Sequence, residues 1–347
     1  MRIPYRTRQT IKRLAVAVLV IAVAAALVWL CWVLWLGRYV VYTKDGAVID
    51  MDRSSAELSG ELAVPPQDSA GIEVYYNEGD NAINTNTELT HVSGYYIDQR
   101  ALEWDMDILQ SQIKALPLGT PVMIELKNSA GNFFYNSSVS RQRQSSIDTA
   151  KVDELIEFLN RSGMYTIARV TALRDYHYGL NNVPYGIHHS SMMYLWQDEG
   201  GCYWLDPTMQ GTMSYLTSIA NELKAKGFDE VMFAEFRIPT ASNAVFRGDR
   251  LEALQTAAQM LITTCGSDSF TLSFAAPLGF LPPEGSRLYV EDVEPVEAAT
   301  VAENSGISDT TAGLVFVTPL NDTRFDEFGV LRPLSAADAV QTDNKNP

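Results

Sequence analysis

Four carboxylate residues stand where chemistry is expected in an α/β chain. Glu125 lies near the end of one short apolar run and Glu235 follows another, while Asp175 comes just past a third and Asp206 lies in the segment YWLDP. Catalytic side chains of α/β enzymes collect at such strand ends. Hydrolysis of a glycosidic bond normally uses two carboxyl groups, one protonated and one ionised. The sequence therefore offers Glu125, paired with Glu235 or Asp206, for this reaction.

These candidate residues also have structural interpretations. Glu125 and Lys127 fall on one face of a regular strand. A carboxylate beside an ammonium stays ionised, which suits a nucleophile or a base, but it equally suits an ion pair that only fills the site. Asp206 precedes Pro207, and an aspartate there is equally typical of a turn or a helix cap. The residue types alone leave both interpretations open.

A polar segment after the third apolar run is rich in aromatic rings. It runs from Thr171 to about Met209 and holds three of the four histidines. Its rings can offer flat apolar faces to a sugar, or they can pack the loop onto the domain as a small satellite core. The predicted substrate contacts in and around this loop are Lys127, Asp175, Tyr176, His177, Trp196, Trp204 and Arg237.

No metal site or cofactor is predicted. Asp175, the nearby histidines and Cys202 carry zinc-ligating atoms, but their spacing matches no standard ligand pattern. A disulfide between Cys202 and Cys265 stays open, because their separation in sequence does not decide whether they pair.

Short apolar runs alternate with segments of helical period from residue 91 onward. The runs that predict strands are 91–98, 121–126, 164–170, 231–233, 269–277, 287–293 and 313–319. Five such β/α units in a row imply a parallel sheet. The repetition, and the lack of a Gly-rich phosphate loop after the first strand, favour an α/β fold of the (β/α)8 TIM-like type over an open doubly wound sheet. No eighth strand is evident, so we expect a barrel that is incomplete or divergent at its C-terminal end.

The N-terminal part of the chain predicts a membrane anchor. Residues 1–13 carry five basic side chains and no acidic one, and residues 14–36 then run 23 residues without a charge, which is long enough to span a bilayer as a helix. The basic end is expected in the cytoplasm and the bulk of the chain outside it, as a single-pass protein of the cell membrane. Residues 37–90 resemble a stalk with short β elements, including a hairpin at 39–50, and residues 339–347 a disordered tail. The barrel is predicted over 91–338.

The acidic balance of the chain excludes one class of partner. The formal net charge is −16, and without the five leading basic side chains 21 basic and 42 acidic ones remain. Such a surface repels nucleic acid, which binds through basic patches. It also keeps a domain soluble, so the charge by itself identifies no ligand, and neutral or cationic ligands remain open.

Four segments, in this order, resemble the putative glycosyl hydrolase domain of bacterial membrane-anchored and secreted proteins, a relative of the α-amylase-like barrels. They are ELKNSAG (125–131), SGMYTIARVTALRD (162–175), YWLDP (203–207) and GFDEVMFAEFRIP (227–239), and the resemblance covers about 91–277. It implies a TIM barrel, a polysaccharide or cell-wall glycan as partner, and glycoside hydrolysis as the activity.

Two positions depart from the family pattern. The family's second strand usually ends in Asp-x-Lys-Asp, whereas this chain has Glu125, Lys127 and Asn128. Its fourth strand usually carries Phe-Asp-Tyr, whereas this chain has Ala234 at the inward position and Glu235 beside it, which serves only if the strand end twists or bulges. Two hypotheses follow: a membrane-anchored glycoside hydrolase with a reduced carboxylate set, or an inactive barrel that binds glycan or scaffolds envelope proteins.

Overall fold

Eight parallel strands close into a barrel in the computed structural model, which describes residues 29, 40–43, 46–49, 89–103, 106–191 and 193–334. The strands are β1 (Ser93–Ile97), β2 (Pro121–Lys127), β3 (Tyr165–Thr171), β4 (Glu230–Ala234), β5 (Thr271–Ala275), β6 (Leu288–Glu291), β7 (Leu314–Val317) and β8 (Gly329–Pro333). Each strand pairs with the next in the sequence, and β8 pairs with β1 to close the ring. The predicted (β/α)8 architecture is confirmed.

Helices cover the outside of the barrel unevenly. They are α1 (Gln99–Leu102), α2 (Met106–Ala115), α3 (Thr149–Arg161), α4 (Tyr176–Asn181), α5 (Gln210–Ala225), α6 (Arg250–Cys265), α7 (Ala298–Asn304) and α8 (Thr310–Gly313), with 3-10 turns at Val183–Tyr185, Pro295–Glu297 and Thr323–Phe325. Residues 276–287, between β5 and β6, form turns and irregular chain. The long helices α2, α3, α5 and α6 therefore all lie between β1 and β5.

Strand alternation separates two cores. One buried cluster inside the barrel contains Val92, Met123, Ile167, Met232, Ala234, Tyr289, Val315 and Leu331. A larger cluster lies between the strands and the helices, where α3 for example buries Val152, Leu155, Ile156 and Leu159. Side chains two residues apart on a strand share a face. The members of the inner cluster therefore show which residues further along each strand point into the barrel.

The expectation of an incomplete barrel is wrong. The eighth strand, GVLRP, begins with glycine and ends with proline, two residues that are depleted in central strands, and it carries a charged arginine next to the proline. Arg332 is tolerated because its guanidinium donates to the carbonyl oxygen of Asp322 at 3.2 Å and to the Asp326 carboxylate at 2.7 Å, on the loop that precedes the strand. Tertiary contacts supply what the local sequence does not indicate.

The bottom of the barrel is filled by a buried polar cluster. Glu230 accepts hydrogen bonds from Arg287 at 2.5 Å, from the Tyr165 hydroxyl at 2.8 Å and from the Tyr289 hydroxyl at 2.9 Å. Arg287 also donates to the carbonyl oxygens of Thr90 and Ala312. Because each charge has several partners, the pair avoids the large penalty of an unpaired buried ion. These residues form the barrel floor.

The predictions for the two ends of the chain concern a hairpin, a membrane segment, a stalk and a tail, and only some of these residues are described by the structure. Within the compact unit Met1–Ser55, Val40–Thr43 pairs antiparallel with Gly46–Ile49, which confirms the predicted hairpin. The proposed membrane segment 14–36 lies outside the described residues apart from Trp29, as do most of the stalk and the tail. In the described parts of the chain, no helix combines the length and the apolar character needed to cross a bilayer.

Candidate active site

The inner face of the barrel carries charged side chains at its C-terminal end. Glu125, Arg169 and Glu291 each follow an inner-cluster residue by two positions, on β2, β3 and β6. Tyr96 of β1 packs against the inner cluster, and Ala234 of β4 belongs to it. These five residues define the mouth of the barrel, at the end where TIM-barrel enzymes place their chemistry.

Arg169 joins two carboxylates across this mouth. Its Nη1 lies 2.9 Å from Glu125 Oε1, and its Nε and Nη2 lie 2.8 and 3.2 Å from the two oxygens of Glu291. Glu125 and Glu291 are called the carboxylate pair below. Since roughly 2.3 Å separates two nitrogens of one planar guanidinium, the bonded oxygens are no more than about 8 Å apart. That is compatible with the separations of about 5–9.5 Å used by paired-carboxylate glycosidases.

The two members of the pair differ in environment. Burial raises the pKa of Glu125, and the nearby charges of Asp98 and Glu291 raise it further, against the opposing effects of Arg169 and the Gln99 amide. The net shift is upward. Glu291 instead receives a two-point, charge-assisted contact from Arg169. The two carboxyl groups of the pair therefore differ in burial and in the donors that hold them.

Helix α1 fixes the other oxygen of Glu125. The Gln99 amide donates to Glu125 Oε2 at 2.9 Å, and this helix turn is itself held by Asp98, whose side chain accepts from the Ala101 amide at 2.8 Å. With Arg169 on Oε1, Glu125 is held at both oxygens. Its carboxyl group is therefore oriented by backbone structure as well as by charge.

Tyr96 reports on the electrostatics of the mouth. Burial raises its pKa to about 12, with further raising contributions from Asp98, Asp292 and Glu291 and a lowering one from Arg169. The pKa of Arg169 is raised too: burial lowers it, but Glu291, Glu125 and Glu235 outweigh that effect. Three glutamates on three different strand ends therefore act on one guanidinium.

Lys127 is separated from Glu125 by a β-bulge, so the prediction that they share a face is wrong. The register of β2 against β3 shifts between Glu125 and Lys127. The Lys127 ammonium lies 2.8 Å from Asp175 Oδ2 and donates to the Thr171 carbonyl at 2.6 Å. Both side chains of the ion pair are completely buried. Direct contact with substrate, predicted for Lys127 and Asp175, is closed to them in this arrangement.

Asp175 instead organises the chain behind the mouth. It caps α4 by accepting from the Tyr178 amide at 2.8 Å, and it accepts from the Tyr215 hydroxyl at 2.9 Å. Gly131 lies against it with a φ of +86°, and a Cβ on this glycine would stand 2.2 Å from Asp175 Oδ1. The segment after β2 therefore needs glycine here both for its backbone conformation and for space.

Glu235 lies with Arg237 at the rim of the mouth. Its backbone conformation could not be predicted from the alternation of residues along the strand. Its φ of +50° turns the chain out of β4, which is the twist that a role for this residue requires. Its Oε2 lies 2.7 Å from Arg237 Nε, and its Oε1 lies 3.7 Å from Arg174 Nη1. Arg174 in turn binds Asp198 Oδ2 at 2.6 Å.

Trp204 contacts both Arg237 and Asp198 and so links the two ends of this chain of contacts. The Arg237 guanidinium stands 4.8 Å from the centre of the indole ring, and the indole Nε1 donates to Asp198 at 3.0 Å. Trp204 is buried, so its ring supports Arg237 and is closed to a sugar. The five residues Arg174, Asp198, Trp204, Glu235 and Arg237 are called the rim set below.

The other predicted residues lie along the loop after β3. Asp206 accepts from the amide and the hydroxyl of Thr208, at 2.9 and 2.6 Å, which is the turn interpretation of this residue. Tyr176 stacks on Tyr203 at 5.4 Å and meets His177 edge-on at 5.3 Å. Trp196 donates through Nε1 to Asn243 at 2.8 Å, on the loop after β4. These contacts place Tyr176, His177 and Tyr203 in one half-buried group of rings.

Cysteine and metal chemistry are not prominent here. Cys202 and Cys265 are both buried free thiols, so the disulfide left open by the sequence is not formed. Among the described residues, no group of three or more histidine, cysteine or carboxylate side chains is arranged to hold a metal ion.

Three members of the mouth were not predicted. Tyr96, Arg169 and Glu291 lie inside the strands predicted at 91–98, 164–170 and 287–293. Side chains two residues apart on a strand share a face, so the pattern groups each of them with other residues of its strand. The sequence does not show which of the two faces of a strand points into the barrel.

Comparison with known proteins relates the first part of the barrel to one protein family. Residues 91–263 match the model of a family described as the putative glycosyl hydrolase domain. This part of the chain belongs to that family. The putative glycosyl hydrolase domain thus begins at the first barrel strand and runs into α6, and it includes Glu125, Arg169 and Glu235. Glu291 lies beyond it. No curated protein matches the chain.

Solved structures share the fold at low sequence identity. An α-galactosidase from Lactobacillus brevis aligns at 11% identity with a TM-score of 0.50, over 74% of this chain and 39% of that one. An α-galactosidase from Geobacillus stearothermophilus in complex with stachyose aligns at 10% identity with a TM-score of 0.50, over 74% and 40%. A hypothetical protein from Ruminiclostridium thermocellum aligns at 17% identity with a TM-score of 0.45, over 53% and 97%. The chain thus spans about two fifths of either galactosidase, and it carries a glycoside hydrolase-like barrel.

Proposed function

We propose that the barrel hydrolyses a glycosidic bond in a polysaccharide or oligosaccharide, with Glu125 as general acid and Glu291 as the ionised carboxylate. The observation that carries this proposal is the bridge by Arg169, which holds both groups at the mouth. Glycoside hydrolysis requires one protonated and one ionised carboxyl group near the same bond. The raised pKa of Glu125 and the two-point contact of Glu291 support this division of roles.

In this mechanism Glu125 donates its proton to the leaving-group oxygen as the glycosidic C–O bond breaks. Water then supplies the hydroxyl group that bonds to the anomeric carbon, and the remaining proton of that water restores the protonated carboxyl of the pair. The Glu291 carboxylate faces the anomeric carbon and stabilises the positive charge that develops there in the transition state. Arg169 and the Gln99 amide hold Glu125 in one orientation, so little reorganisation is needed at the moment of transfer. Ala234 on β4 is buried in the inner cluster and supplies no third carboxylate to the mouth. Glu235 belongs to the rim set, and Asp206 to a turn.

The test is release of reducing ends from a panel of neutral and amino polysaccharides by the purified full-length protein. We expect activity whose kcat/KM falls as pH rises through the pKa of Glu125, because the acid is protonated only below that value. Since the pKa is raised above the ordinary glutamate value, this alkaline limb should lie at higher pH than a solvent-exposed glutamate would give. The pH profile of kcat/KM measures it.

A binding role without turnover is the competing function. It is favoured by Ala234, which stands where the family usually has an inward carboxylate. If no glycan in the panel yields reducing ends while one of them binds the protein, hydrolysis is refuted and glycan binding replaces it. If none binds either, a scaffold role in the envelope remains.

We also propose that residues 14–36 anchor the protein in the cell membrane with the barrel on the outer side. The uncharged stretch and the basic side chains before it support this proposal. A tag at the C-terminus should be digested when protease is added to intact spheroplasts, whereas a cytoplasmic control protein should survive. A protected tag would place the barrel on the cytoplasmic side.

A further inference from the structure

Arg237 is held in place but its terminal nitrogens stay open. Its Nε donates to Glu235 at 2.7 Å, and its guanidinium lies over the Trp204 ring at 4.8 Å. The side chain is nevertheless 53% exposed. Within the described residues, no hydrogen bond engages Nη1 or Nη2. An exposed arginine normally loses much rotamer freedom when it binds a ligand, and here that freedom is already restricted.

The supports of Arg237 are themselves fixed. Glu235 is placed by its left-handed backbone, with a φ of +50° for a residue type that rarely adopts it. Trp204 is buried and anchored through Nε1 to Asp198, which also holds Arg174. The rim set is thus a closed ring of contacts from which the exposed terminal fork of Arg237 reaches solvent.

The charge of the rim set indicates which ligand suits this fork. Two cations, Arg174 and Arg237, face two anions, Asp198 and Glu235, so the set carries no net charge to attract an ion. A planar fork of two N–H donors matches two neighbouring acceptor oxygens. Vicinal hydroxyl groups of a neutral sugar present such a pair. The stacked rings of Tyr176 and Tyr203, on the loop after β3 that also carries Trp204, add apolar surface of the kind that sugar faces contact.

The rim set also lies next to the carboxylate pair. Glu235 bonds Arg237 on one side, and on the other its charge acts on Arg169, the residue that bridges Glu125 and Glu291. We propose that Arg237 binds vicinal hydroxyls of a neutral sugar unit adjacent to the scissile bond, so that the barrel acts on oligosaccharide chains and not on isolated monoglycosides. This inference rests on the proposed function for the position of the bond, and on the rim set for the second sugar.

The experiment compares substrates by length. The full-length protein is assayed on neutral gluco-, galacto- and xylo-oligosaccharides, from disaccharide to hexasaccharide, and on the matching 4-nitrophenyl monoglycosides. We expect kcat/KM to rise with chain length, and Arg237→Ala to lower the ratio of kcat/KM between tetrasaccharide and 4-nitrophenyl monoglycoside by about tenfold to a hundredfold. Arg237→Lys should lower the same ratio nearly as much, because the lysine ammonium keeps the charge but not the fork.

The control variant is Arg247→Ala, an exposed arginine on the loop after the same strand, which should leave the ratio unchanged. Equal kcat/KM for monoglycosides and long chains in the wild-type protein would overturn the inference while the hydrolase function stands. Stronger binding of an oligouronate than of its neutral counterpart would overturn the assignment of a neutral sugar. If no substrate is hydrolysed, calorimetric titration decides: length-dependent oligosaccharide binding that Arg237→Ala abolishes supports the inference although the hydrolase function has failed, and its persistence in that variant overturns it.

Discussion

Glu125→Gln and Glu291→Gln are each expected to reduce the release of reducing ends at least about a thousandfold, since each removes one half of an acid–base pair. An amide in place of the Glu125 carboxyl cannot give up a proton to the leaving group, and an amide in place of the Glu291 carboxylate carries no charge to oppose the developing cation. Both replacements keep the shape of the side chain and one acceptor oxygen, so one of the two hydrogen bonds that each glutamate accepts can persist while the other is lost. Initial rates on the best glycan of the panel measure the effect.

A matched control distinguishes this loss from general damage. Glu303→Gln, on the exposed surface of α7, makes the same chemical change away from the mouth and should keep the wild-type rate. Thermal unfolding of both active-site variants should remain close to that of the wild-type protein. Wild-type rates in either mouth variant would remove that glutamate from the mechanism and return attention to Glu235.

Asp175→Ala is expected to lower the free energy of unfolding by about 3–5 kcal/mol, because it leaves the Lys127 ammonium charged and completely buried. The Thr171 carbonyl and the nearby rings of Phe133 and Tyr215 remain as partners, but none carries a compensating charge. Urea unfolding followed by tryptophan fluorescence measures the change.

Two comparisons make this stability prediction specific. The double variant Lys127→Met/Asp175→Leu removes both charges, and its loss should be smaller than that of Asp175→Ala alone. Lys226→Ala breaks a partly exposed ion pair with Asp153, 2.8 Å long, and should change the stability by about 1 kcal/mol or less. A double variant that is less stable than the single one would mean that packing, and not the unpaired charge, determines the effect.

Seven of the eight strands were predictable because their apolar runs are separated by segments of helical period. The eighth was not, because GVLRP has the composition of a loop and is held in the sheet by Arg332 and its acceptors. Helix limits were also visible where chemistry marks them, as at α3, which Asp148 caps and the left-handed Gly163 follows. The local sequence pattern therefore predicts the barrel type and seven of its strands, whereas the eighth strand depends on long-range contacts.

The site was only partly predictable from the sequence. Glu125 lies in the mouth as expected, but the bulge after it sends Lys127 to Asp175, and nothing in the letters ELKNSAG shows a bulge. Glu235 reaches the rim only through a positive φ, which sequence rules discourage for glutamate. Glu291 stayed hidden because it lies more than 160 residues from Glu125 in the chain and becomes its neighbour only when the barrel closes.

The barrel floor and the inner cluster above it determine how a polymer could approach the mouth. Glu230, Arg287, Tyr165 and Tyr289 pack across the bottom, and the buried apolar side chains of the inner cluster fill the space above them. A glycan strand therefore cannot thread through the barrel. Any glycan bound at the mouth has to lie across the C-terminal ends of the strands, so recognition of its neighbouring units falls to the surrounding loops.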